Sequence, residues 1–280
     1  MTDIAVDTSA LSLFAREPAV RDLVCERILG DRARLAVPIQ ALSEIVDSED
    51  TQGVTNRLTC VAALATSLRE RFLVTQDVLD LVLLEREQRI TSVPEVPDRA
   101  GLIDSFLSPD FMKDLPELRK GIQKHQMKDI SFGRDLDSRK NLSKLFAPYA
   151  KRLPGMVGDL RNNDWFWTTV FVQAKKVSDR GRYAARMRLN PKRYATAVMS
   201  ATYLFLNAMG SIFVDTGLGR FAGILRAPRR NDRIDGTIAA CASHARVFLT
   251  EDEGQRIKVN YIATQFGLRL IATSVRGWLV

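Results

Sequence analysis

Short apolar strands alternate with helices at both ends of this 280-residue chain but not in its middle, and that interruption constrains the fold more than any other feature. DIAVD at 3–7, RLAVP at 34–38 and the FLVT run beginning at Phe72 read as strands near the start. ARVFLT and LRLIAT read as strands near the end. Helical segments between them give a βαβ-like pattern, which predicts an α/β fold with a parallel sheet under helices and ligands at the C-terminal strand ends. The pattern stops at SVPEVPDRAG, where Pro94, Pro97 and Gly101 mark a boundary, and resumes after RAPRRN. The expected organisation is a discontinuous core, residues 1–92 plus 226–280, interrupted by a mostly α-helical insertion at 93–225.

Local signals place the pieces. TSALSLF is expected to bend the chain toward a helix beginning at Glu17 and Pro18, both good first-turn residues. In IQALSEIV, helical spacing puts Ile39, Leu42, Ile45 and Val46 on one face and leaves Glu44 on the polar side. Residues 195–214 approach the roughly 20 residues that span a bilayer. Thr196, Ser200, Thr202, Asn207, Gly210 and Ser211 within them suit a buried helix, and no membrane partner is expected. Cys25, Cys60 and Cys241 are odd in number, lack zinc-site spacing and read as reduced core thiols. MTDIAVDTSA carries no secretory pattern, so a cytoplasmic location is expected.

The net charge of +8 hides an asymmetry. Residues 99–230 hold 25 Lys and Arg against 11 Asp and Glu, and the remainder hold 16 against 22, so acidic ends bracket a basic middle. Clustered basic charge attracts nucleic acid through phosphate neutralisation and counterion release, though anionic lipid or an acidic protein would be drawn equally. The strongest run supplies Lys175, Lys176, Arg180, Arg182, Arg186, Arg188, Lys192 and Arg193, with Tyr183 and Tyr194 interleaved. Such a run can track a phosphate backbone and stack bases, and can equally be a solvated helix face with its tyrosines in the core. Trp165, Phe166 and Trp167 read as a packing anchor, and His125 and His244 as structural residues.

Chemistry is carried by carboxylates split between the two ends: Asp7 in VDTSAL, Glu44 in SEI, Asp235 in NDRIDGTIAACA and Asp252 in FLTEDEG. Hard cations such as Mg²⁺ and Mn²⁺ take carboxylate oxygens and keep positions for phosphate and water. Asp232 is an accessory acid, and Thr8, Ser9 and Thr250 could position water or only satisfy local backbone. Each acid also has a local alternative: a turn for Asp7, an exposed helix face for Glu44, a helix N-terminus for Asp235, a solvated turn for Asp252. No phosphate-loop, zinc-helix or nucleophile-elbow signature is present.

These four patterns, in this order, resemble the PIN domain, a ribonuclease fold found in bacterial toxin–antitoxin toxins and RNA-processing nucleases. The resemblance covers about half of the chain; the central insertion has no counterpart in the compact form of the family. It implies a three-layer fold with a central parallel sheet, a Mg²⁺- or Mn²⁺-dependent site at Asp7, Glu44, Asp235 and Asp252, and phosphodiester hydrolysis leaving a 5′-phosphate and a 3′-hydroxyl. RNA is favoured over DNA as substrate. Two other readings stand beside it: a catalytically silent PIN-like module that docks nucleic acid or a partner protein, and a toxin nuclease held inactive by an antitoxin. A homo-oligomer is compatible with the exposed helices, but no heptad run specifies one.

Overall fold

The structure is a computed structural model that describes residues 2–87, 90, 93–96, 99–108, 110–111, 113–117, 119–120, 153–167, 180–213 and 232–280. Five strands, β1 (Asp3–Val6), β2 (Arg34–Pro38), β3 (Phe72–Thr75), β4 (Val247–Leu249) and β5 (Ile271–Thr273), form one parallel sheet in the order β3-β2-β1-β4-β5. All five were legible as apolar runs, and in β1 and β3 every side chain is hidden, as in a parallel sheet packed on both faces, while the edge strand β5 leaves Ile271 exposed. Ala5, Val6, Leu35, Val37, Phe72 and Phe248 are fully buried.

Parallel neighbours need crossover connections. α1 (Thr8–Arg16) and α2 (Pro18–Gly30) join β1 to β2, and α3 (Ile39–Asp47) and α4 (Thr51–Leu68) join β2 to β3. The return from β3 to β4 passes through α5 (Val78–Arg86), α6 (Arg99–Leu107), α7 (Leu153–Gly158), α8 (Arg180–Leu189), α9 (Ala195–Phe213) and α10 (Asp232–Cys241). α11 (Glu253–Phe266) then joins β4 to β5, and α12 (Val275–Leu279) follows. The result is a mixed α/β fold compatible with three layers. One local expectation changes. TSALSLF is not a bend but the body of α1, because Asp7 in extended conformation accepts the Ala10 N–H and caps the helix there.

The first three strands run outward in one direction from β1, and β4 and β5 run outward in the other. The reversal between β1 and β4 opens a crevice at the C-terminal strand ends, where ligands of open α/β sheets collect. Asp7 directly follows β1, and Thr250 directly follows β4.

The central segment is knit into this core. α9 packs against α10, α11 and α5, and among the described residues no helix is long and apolar enough to cross a membrane. Phe166 and Trp167 are buried, and both rings meet Phe266 of α11 at 5.8 Å between centroids, which makes them the anchor their composition suggested. Tyr203 of α9 comes so close to α10 that a Cβ on Gly236 would lie 2.7 Å from its ring. Only glycine permits that approach. Lys258 of α11, fully buried, donates to Asn207 Oδ1 at 2.6 Å and lies 5.0 Å from the Tyr203 ring centroid.

Glu85, fully buried at the end of α5, supplies the N-terminal cap that α9 lacks in its own sequence. Its carboxylate accepts the Thr196 N–H at 2.5 Å and the Ala197 N–H at 3.1 Å, and meets His244 Nε2 at 2.7 Å. His244 thus has the structural role expected of it; His125 lies outside the described residues. Cys25, Cys60 and Cys241 are buried free thiols, and burial pushes Cys60 up to about 11.

Glu85→Gln places an amide donor against backbone donors at a site closed to water. It should destabilise the fold by about 2 kcal/mol, the scale of charge-assisted bonds lost in the interior, read as a lower urea midpoint at pH 7.

Candidate functional site

The site begins with a carboxylate that the fold buries. Asp7 is 4 % exposed, and its own N–H continues the sheet ladder by donating to Leu249 O at 3.1 Å. Its Oδ1 accepts the Ala10 N–H at 2.8 Å, Ser9 Oγ donates to the same carboxylate at 2.8–2.9 Å, and Thr250 Oγ1 donates to Oδ2 at 2.6 Å. Every one of these donors is neutral. Burial therefore dominates, and with the nearby Glu44 charge it raises Asp7 to about 6 against the partial relief of the three donors.

Thr250 is the junction of the site. Its hydroxyl lies 2.8 Å from Gln255 Oε1 as well as 2.6 Å from Asp7, and accepts the Asp252 N–H at 3.1 Å. Its single proton serves one of the two acceptors at a time. Ser9 Oγ accepts the Glu251 N–H at 2.7 Å, so α1 and the turn after β4 are clasped by two hydroxyls.

Glu44 enters from the polar side of α3, as its spacing implied, and accepts from Thr8 Oγ1 at 2.5 Å. Burial also raises its carboxyl, with Asp47 adding to the effect, while the Thr8 bond and the Arg57 charge oppose it. Asp252 caps α11, its Oδ1 accepting the Gln255 N–H at 2.8 Å. Asp235 lies in the first turn of α10, partly exposed, and its carbonyl accepts from Gln255 Nε2 at 3.1 Å.

Asp7, Ser9 and Thr250 share one hydrogen-bonded network, which Asp252 and Asp235 join through Thr250 and Gln255 by backbone atoms; Thr8 and Glu44 form a separate bonded pair whose charge acts on Asp7. Among the described residues no group of three or more His, Cys, Asp or Glu side chains is assembled closely enough to hold an ion. The Asp232 side chain lies outside the description, as do Lys175, Lys176 and the side chains of Arg180 and Arg182. Arg186, Lys192 and Arg193 are exposed. Arg188 pairs with Asp164 at 2.5 Å and donates to Asn162 O at 3.0 Å, which fastens α8 to the loop before Trp165. Tyr194 is buried.

Sequence reasoning missed Gln255, Asp47 and Arg57. Gln255 carried a signal: Asp252 followed three residues later by Gln has the spacing of a capping box, but the amide turns inward to the site. Asp47 was one helical turn beyond Glu44. Arg57 carried no local signal; it matters because α4 lays it beside Glu44.

The raised proton affinity of Asp7 has a direct stability consequence. A carboxyl whose folded value lies above its unfolded 3.8 contributes stability below pH 4, which is lost as pH rises through 6. In EDTA, Asp7→Asn should match wild type near pH 4 and exceed it above pH 7 by an amount approaching about 3 kcal/mol, measured by urea unfolding across that range.

Comparison of the chain with protein-family models, with curated proteins and with solved structures finds no match in any of the three.

Proposed function

We propose that this chain is a PIN-like nuclease: a divalent-metal-dependent hydrolase of phosphodiester bonds, with RNA favoured over DNA. One observation carries the reading. Asp7 is buried and Glu44 half-buried near it at the topological switch point, each raised by its withdrawal from water, and Asp7 is bonded only to neutral donors among the described residues. A fold that buries two acids together leaves negative potential in a cleft, and a dication removes that cost.

The donor set fits Mg²⁺ or Mn²⁺ in kind, being all oxygen and all hard. Asp7 and Glu44 would hold the ion first, with Asp235 and Asp252 reaching it from α10 and the turn after β4 and Asp232 as an accessory acid. The ion, when bound, supplies Lewis-acid stabilisation of charge developing at phosphorus. The remaining tasks fall to the protein. Ser9 and Thr250 fix the Asp7 carboxylate, Thr8 fixes Glu44, and Gln255 holds α10 against the turn that bears Asp252. The central basic segment, including Arg186, Lys192 and Arg193, supplies positive charge to hold the polyanion.

Wild type, Asp7→Asn and Glu44→Gln, incubated with labelled single-stranded RNA, double-stranded RNA and DNA in Mn²⁺, Mg²⁺ or EDTA, test the reading. Wild type should cleave only with metal, RNA fastest, and either substitution should lower the rate by at least about 100-fold, on the scale of losing one preorganised electrostatic contact. Metal-independent cleavage, or full activity in Asp7→Asn, would overturn the proposal.

A further inference from the structure

A cavity of about 520 Å³ lies between α1 and α4, with Ser9, Arg16, Asp50, Asn56, Arg57 and Glu251 in its wall. Its volume is that of a small-ligand site. Two of its walls belong to the network already described: Ser9 holds Asp7, and Glu251 follows the clasping Thr250. The cavity therefore continues the acid crevice sideways along the first helix.

Its charged groups are unequally committed. Asp50 Oδ1 caps α4 through the Gly53 N–H at 3.0 Å, and Glu251 Oε1 accepts the Val275 N–H at 2.8 Å, so both carboxylates are turned to structural tasks. The cations keep donors in reserve. Among the described residues Arg16 spends only Nε, on Ser12 O at 3.3 Å, and Arg57 Nε is buried with no hydrogen-bond partner. A buried guanidinium nitrogen without an acceptor is costly, and an incoming acceptor relieves it. Gly53 makes room for the Asp50 carboxylate at this edge of the wall: a Cβ there would lie 2.1 Å from Asp50 Oδ2 and 3.2 Å from Arg57 Nη1.

We infer that this cavity is a phosphate subsite, in which Arg57 with Arg16 at its mouth holds a backbone phosphate of the polynucleotide next to the one at the acids. The planar, always charged guanidinium forks suit phosphate oxygens. The amide of Asn56 and the remaining acceptors on Asp50 and Glu251 suit the sugar hydroxyls or base amino groups of the attached nucleotide. The inference rests on the nuclease reading for its ligand.

Binding can be read without cleavage by placing Arg16→Gln, Arg57→Gln and both together in the Asp7→Asn full chain. The affinity for a labelled single-stranded RNA is then titrated against KCl. Each single substitution should weaken binding about tenfold at low salt, and the pair should flatten the slope of log K against log salt by about 0.7, the share of one phosphate contact on a single strand. Arg269→Gln, at the opposite end of the sheet before β5, should leave the slope unchanged. Arg16 is exposed, so its variant folds irrespective of what Arg57 does to the core. An unchanged slope in the folded Arg16 and Arg57 variants overturns the subsite while leaving metal-dependent cleavage to stand or fall alone. A flattened slope in a chain whose wild type never cleaves keeps the subsite and removes the nuclease. RNA binding absent at every salt concentration overturns the subsite outright.

Discussion

The pairing of β1 with β4 is the contact from which the rest of the site is built. Asp7 and Thr250 are 243 residues apart in sequence and 2.6 Å apart through a hydrogen bond. The Asp7 N–H extends the ladder onto Leu249, and the Thr250 N–H extends the next one onto Thr273. Sheet geometry alone thus sets the two side chains next to one another, and their hydroxyl–carboxylate bond needs no loop to aim it. The crevice where strand order reverses is where backbone and side chain agree.

Burial gives that geometry its chemical character. A protein can stabilise a hidden carboxylate with a cation, and this one surrounds Asp7 with hydroxyls and an amide instead. Such donors fix position without cancelling charge, so the anion keeps its field and its elevated proton affinity. Glu44, one helix away, receives the same treatment from Thr8. Arg57 is the counterweight, coupled to Glu44 while its buried Nε has no hydrogen-bond partner among the described residues.

What was legible in the chain was whatever local physics decides. The strands showed because burial on both faces removes polar alternation, and the aromatic run Trp165–Trp167 showed because large rings seek cover. α1 was misread because the same Asp7, Thr8 and Ser9 make an equally good turn, and only the packing of Leu11 and Phe14 selects the helix. Glu85 was invisible, since its partners Thr196 and His244 stand 111 and 159 residues downstream. Arg57 and Gln255 were hidden for the same reason: their importance lies in what the topology places beside them.

The position of β4 also orders events during synthesis. Until the last part of the chain leaves the ribosome, β1 is a bare edge strand, and Asp7 lacks both Leu249 and Thr250. At about 5–20 residues per second the first three strands wait roughly ten seconds or more for their neighbour. An open edge of that kind invites pairing with other chains. Yet the delay also separates the acids from the residues that organise them, so a nascent chain carries the ingredients of the site without its geometry, and a truncated one never acquires it.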